Sequence, residues 1–174
     1  MDDILDTLSL PPDLYSRNTL ITRGIRHYKQ QQGLARIRVL DIGGKEGQLH
    51  RFLEEEDQLT ILDVRPGDGE HFGQGDATAM TMFRDGEFDV VVSGDVYEHI
   101  PPERRSLFVR EACRVSKGLV ILAAPFHKPQ VHQAEVMVNR YFHQLLGRDH
   151  DWLREHLQHG LPDEAELQRF IREQ

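Results

Sequence analysis

A single cysteine, Cys113, stands in this chain of 174 residues. No internal disulfide can form, which fits a reducing compartment, and a cytoplasmic location is expected. Cys113 falls in an amphipathic helical pattern and reads as a small buried residue, not a nucleophile. No apolar run is long enough to cross a bilayer, so a spanning helix and a membrane partner are excluded. The first residues, Met1-Asp2-Asp3, are acidic where a secretory signal would be basic. Positive charge is also short: 21 Lys and Arg face 29 Asp and Glu, a formal net charge of −8. Holding the phosphates of a duplex needs a basic face, so no nucleic acid is expected. The local pair Arg104-Arg105 could hold a small anionic substrate, but a solvated helix face is the favoured reading. Internal repeats and low-complexity segments are absent.

What is present is 39% apolar and 29% charged, the mix of one soluble domain with a single core. Leu14, Leu20, Ile21, Ile25 and Tyr28 recur at roughly helical spacing, and Gly33 stands where a C-cap belongs, so a helix precedes the first strand. Arg38 to Ile42 is a short apolar run ending in glycines, the pattern of a buried parallel strand. A helix is expected over Gln48 to Glu56, then a strand over Leu59 to Asp63. A Gly- and Asp-rich loop, with a very short strand near His71-Phe72, leads to the clearest strand, Phe88 to Ser93. Pro101-Pro102 opens a further helix, Lys117-Gly118 ends it, and Leu119 to Ala124 is an all-apolar strand. Three helices follow, over about Gln133 to Leu146, Trp152 to His159 and Asp163 to Glu173. Strands alternating with helices imply a parallel sheet covered on both faces.

Chemistry concentrates at strand ends. In Val39-Leu40-Asp41-Ile42-Gly43-Gly44-Lys45-Glu46-Gly47 a strand stops in a glycine turn that lets a ligand approach the backbone. Ligands of open α/β sheets sit beyond the carboxyl ends of the strands, at such a turn. Asp63 ends the next strand, where a carboxylate can accept hydrogen bonds from both hydroxyls of a ribose. A dinucleotide fingerprint fits poorly. Ile42 occupies its first glycine position, and Glu46 would repel a pyrophosphate. A cationic cofactor without phosphate suffers no such repulsion, and S-adenosylmethionine fits better.

The run from Arg38 to Pro125 resembles the class I S-adenosylmethionine-dependent methyltransferases of small-molecule type, with five motifs in family order. Val39 to Gly47 resembles the glycine-rich first motif, and Asp63 the acid that holds the ribose. Gly75-Asp76-Ala77 resembles the segment beside the adenine. Phe88 to Ser93 with Tyr97-Glu98-His99-Ile100-Pro101 resembles the fourth-strand motif and its continuation. Arg110 to Val115 with Gly118 to Pro125 resembles the closing helix and fifth strand. The resemblance implies a doubly wound, mainly parallel Rossmann-like sheet of order 3-2-1-4-5. It implies a cofactor site of Asp41, Gly43, Gly44, Gly47, Asp63, Asp76, Ala77 and Ser93, with S-adenosylhomocysteine as product. Methyl transfer in line to a small-molecule acceptor is the expected activity, and a catalytically degenerate binding or scaffold module the alternative. A homodimer is compatible with either.

There are departures from the family pattern. Lys45 stands at the family's central glycine, so its side chain must point away from the cofactor or perturb the methionine end. Nothing after Phe126 reads as the family's sixth and seventh strands. The sheet is then either cut short, the favoured reading because Leu119–Ala124 would otherwise be an apolar edge, or completed by the helical tail. The expected division is 1–34 as an N-terminal helical segment, 35–125 as the cofactor-binding core and 126–174 as a helical segment. Within the last, Trp152 to Pro162 reads as a substrate lid or as a helix capped by Gly160. Asp95, Glu98 and His99 follow the fourth strand on the acceptor side, and His99 is the candidate catalytic residue because it titrates in the useful range. His127 and His132 are weaker candidates. His150, Glu155, His156 and His159 can share a helical face, yet no cysteine set or His-Glu-x-x-His spacing fixes a geometry, and no metal site is expected.

Overall fold

The structure is a computed structural model and describes residues 7 and 9–174. Most of the acidic leader, 1–6 and 8, lies outside the described residues. Five strands form one sheet: β1 (Arg38–Ile42), β2 (Gln58–Asp63), β3 (Phe72–Gln74), β4 (Phe88–Gly94) and β5 (Ser116–Ala123). All pairings are parallel, in the order β3-β2-β1-β4-β5. Successive residues of a strand point to opposite faces, and the core divides accordingly. Leu40, Ile42 and Val91 join one cluster, Val39, Val90 and Val92 the other. These strands are apolar on both faces because both are covered.

Helix α1 (Pro12–Gln32) covers the second cluster with Ile21 and Ile25. It starts behind Pro11-Pro12 and stops at Gly33, whose φ of 64° lets Leu34 donate back to the Lys29 carbonyl at 3.0 Å. Helix α2 (Arg105–Val115) covers the first cluster with Phe108, Val109, Ala112 and Val115. Phe108 is fully buried, and burial of that kind stabilises by about 1.5–3 kcal/mol. The chain then runs through α3 (Pro129–Leu146), α4 (Asp151–His159) and α5 (Glu164–Arg172). Asp163 caps α5 by accepting from the Glu166 amide at 3.0 Å. Leu167 and Phe170 of α5 complete the cluster under α2.

Three sequence expectations need correction. Gln48 to Glu56 is not a helix: only the 3-10 turns Gly44–Glu46 and Leu49–Arg51 form there. Gln48 sits at a φ of 57°, a left-handed conformation that interrupts α-helical bonding. Leu49 alone buries fully, so one turn suffices to cover the sheet. Lys117-Gly118 does not end α2 but lies inside β5. There Lys117 pairs with Asp89 at 2.6 Å, and a Cβ on Gly118 would collide with the Tyr28 hydroxyl. Finally, Arg105 is not solvated; it is 3% exposed. Cys113 is half-buried beside the first cluster, and burial pushes its thiol up, away from nucleophilic use.

Candidate functional site

A cleft of about 920 Å³ opens beyond the carboxyl ends of β1, β2 and β4. Its floor is the turn from Asp41 to Gly47. Gly43 holds a φ of 76°, and a Cβ there would run into Val96. A Cβ on Gly44 would collide with the Asp41 carboxyl. The glycines are thus required by the packing of the turn itself, and their bareness also opens the floor to a ligand. Lys45 turns outward and donates to the Pro66 carbonyl. It does not line the cleft, whereas Glu46 and Gly47 do.

Two acids face this floor. Asp41 is 7% exposed, and burial, reinforced by Asp63 and opposed by Arg17, pushes its pKa up to about 7. Asp63 behaves oppositely. Burial would raise it, but hydrogen bonds from the Arg65 amide at 2.9 Å and guanidinium at 3.3 Å overcome that and hold it below the usual carboxylate range. Arg65 also pairs with Glu46 at 2.9 Å, which ties the rim together. Asp76 accepts from Thr78 at 2.8 Å and from Arg104 at 2.7 Å. Against burial, these bonds hold its carboxyl low. Ala77 lines the cleft beside it, while Ser93 is buried in β4, does not line the cleft and has no partner for its hydroxyl among the described residues.

The other wall comes from the 3-10 turn Tyr97–His99 and from the tail. Asp95 adopts a φ of 54°, donates its amide to the Ala123 carbonyl at 2.8 Å and pairs with Arg17 of α1. His99 donates from Nδ1 to the Glu155 carboxylate at 2.9 Å. Burial, then neighbouring His156, hold its pKa below the ordinary value although Glu155 pulls upward. Glu98 is 2% exposed, and burial pushes it up to about 7. His150, Trp152, Leu153, Glu155 and His156 reach the same cleft from the tail, whereas His127 and His132 stay outside it. The tail is held in place by Arg105, which donates to Gly160 at 2.6 Å and to Ile100 at 3.1 Å. Sequence reading had no role for Arg17 or for Asn18, which donates to the Gly47 carbonyl at 2.6 Å. Polar residues on the inner face of α1 were the only signal.

A family model described as methyltransferase domain matches residues 30–123. The chain belongs to the methyltransferase domain family. Its fold is that of the class I, S-adenosylmethionine-dependent methyltransferases. A SAM-dependent methyltransferase from Archaeoglobus fulgidus is similar at 19% identity, over 92% of this chain and 67% of that one, with a TM-score of 0.63. The YcgJ protein from Bacillus subtilis is similar at 20% identity, over 80% and 61%, with a TM-score of 0.56. The carbon methyltransferase CurJ is similar at 13% identity, over 90% and 46%, with a TM-score of 0.59. This methyltransferase domain therefore spans about two thirds of the length of the first of these solved structures and less of the other two. No curated protein matches it significantly. Among the described residues no helix is long and apolar enough to cross a membrane.

Proposed function

We propose that this methyltransferase domain binds S-adenosylmethionine in the cleft and directs methyl transfer to a small-molecule acceptor held between the Tyr97–His99 turn and α4. The observation that carries the reading is the pairing of a glycine floor with two acids of opposite protonation tendency, Asp41 and Asp63. The donor set fits the cofactor. Asp63, ionised, can accept from ribose hydroxyls. Asp41, buried, gains from a cationic occupant nearby. Lys45, the one cation of the turn, faces away from the cleft, so no phosphate cradle is built there. Gly43, Gly44 and Gly47 allow close approach, and Asp76 and Ala77 border the place for the base. The cofactor supplies an electrophilic methyl group on a cationic sulfur.

The chain's own residues then bind and orient. Holding acceptor and donor in line supplies most of the acceleration in such a displacement. His99 lines the acceptor side and stands as the group that can take a proton from a hydroxyl or amine. The tail residues Trp152 to His156 act as a lid over that side.

Calorimetry with S-adenosylhomocysteine, on the wild type and on Asp63→Ala, tests the reading. Binding that weakens in the variant supports it; no heat with either protein sinks it. Labelled cofactor with a panel of small acceptors then reads turnover. The rival, a binding module without turnover, draws support from Arg65 on Asp63 and Arg104 on Asp76, which already engage two cofactor-directed acids. Cofactor retained through purification with no transfer to any acceptor would favour it.

A further inference from the structure

Glu98, His99 and His156 bring one ligand atom each to within 4.8 Å of one another at the acceptor side of the cleft. Glu98 and His99 come from the turn after β4, and His156 from α4, more than fifty positions later. Metal bonds of about 2.0–2.1 Å set the ligand atoms of a tetrahedral site about 3.4 Å apart, so side chains within 4.8 Å of one another close on an ion by moving at most about 1.4 Å.

Two further observations point to a ligand. The Nε2 of His156 and the Oε2 of Glu98 are buried and find no hydrogen-bond partner among the described residues. Their side chains are 8% and 2% exposed. Leaving such atoms unsatisfied is costly, and a polar orphan calls for a partner. Each histidine is also oriented by a carboxylate. His156 donates from Nδ1 to Glu135 of α3 at 2.8 Å, and His99 from Nδ1 to Glu155 at 2.9 Å. An ionised carboxylate only accepts, so both imidazoles keep the proton on Nδ1 and present Nε2 with a lone pair. That arrangement, carboxylate behind histidine, is how metal-binding histidines are held and made more basic.

We propose that Glu98, His99 and His156 form a binding site for a divalent first-row transition metal, with Glu135 and Glu155 as the carboxylates that orient its histidines. Two imidazoles and one carboxylate suit zinc or ferrous iron better than calcium or magnesium, which prefer oxygen. All three ligands line the cleft, so the metal's remaining positions face it. An acceptor bearing an oxygen or nitrogen donor is the occupant those positions would hold and polarise. With the His99 Nε2 on the metal, this polarisation, in place of proton transfer to His99, would activate it. That last role rests on the methyl-transfer reading; the metal site itself does not.

The test is zinc titration of the chelator-stripped chain by calorimetry, with cobalt substitution read by visible absorption. About one equivalent should bind, and cobalt should show d–d bands. His156→Gln and Glu98→Gln should weaken binding at least tenfold and remove the bands. Glu135→Gln, which leaves all three ligands in place, should cost about 10–100-fold, and it keeps the test decisive if a ligand variant does not fold. His143→Gln, an exposed histidine of α3, should change nothing. No zinc binding by the wild type, or equal binding by the wild type and the folded variants, overturns the proposal. S-adenosylhomocysteine titrated in parallel separates this failure from failure of the cofactor reading.

Discussion

Arg105 of α2 donates a hydrogen bond of 2.6 Å to the carbonyl of Gly160, the residue that closes α4. A buried guanidinium thus joins the sheet-covering helix to the segment that walls the cleft. Burial lowers its pKa, but guanidinium remains charged at any physiological pH. Replacing Arg105 with Ala leaves the carbonyls of Ile100 and Gly160 without this donor, at about 1–3 kcal/mol for each one that stays buried. We expect a loss of about 2–4 kcal/mol in urea unfolding, with amide exchange rising in α4 before β4. Protection unchanged in α4 would show that the tail is held by other contacts.

Asp41 gives the cleft a pH dependence. The folded chain keeps its proton up to about pH 7, whereas the unfolded carboxyl releases it near 3.8. Burying the charge therefore costs nothing below pH 3.8, costs progressively more as pH rises, and is fully unfavourable above about 7, by up to about 4 kcal/mol. Asp41→Asn should accordingly lose less stability than the wild type between pH 5 and pH 8, as read by thermal melts. The same linkage predicts that a cationic ligand near Asp41 binds more tightly as pH rises through 7. Identical melting profiles for both proteins would place the proton elsewhere.

Gly44 leaves no room for a side chain in the floor. Gly44→Ala drives its Cβ into the Asp41 carboxyl, and overpacking of this kind costs about 1–3 kcal/mol. Because Asp41 must move, affinity for S-adenosylhomocysteine should fall together with the melting temperature. Gly33→Ala, with open space around its Cβ but a φ of 64°, should lower stability alone.

Asp63 is held ionised by Arg65. Asp63→Asn keeps the shape but removes the charge, and hydrogen bonds to charged groups are worth about 1.5–3 kcal/mol. Affinity for S-adenosylhomocysteine should fall about 10–100-fold in calorimetry. An unchanged affinity would remove the ribose role from this carboxylate.

Trp152, the chain's single tryptophan, lines the cleft with its ring 6.3 Å from that of His99. Since 58% of it is exposed, an acceptor settling beside His99 should shift its emission to the blue. A shift produced by cofactor alone and unchanged by any acceptor would place Trp152 on the cofactor side instead.

Much of this was written locally. The alternation of Val39 with Leu40 and of Val90, Val91 and Val92 dictates strands buried on both faces, because side chains of a strand alternate sides. Gly43 and Gly44 mark the turn because the first holds a left-handed φ and a Cβ on either would strike Val96 or the Asp41 carboxyl. Asp163 and Gly33 announce helix ends by capping chemistry. Local reading erred where tertiary contacts overruled it: Gln48 to Glu56 needs one turn to bury Leu49, and Arg105 spends its charge on carbonyls that sequence cannot place nearby. The histidines show the limit best. Their spacing along the chain argues against a metal, since no motif sets two ligands on one turn. The fold alone brings His156 against Glu98 and His99, by closing α4 over the end of β4, and supplies the carboxylates behind them. Hydrophobic patterning and caps act over a few residues and so are legible in sequence; convergence of polar atoms from distant segments is a property of the packed chain.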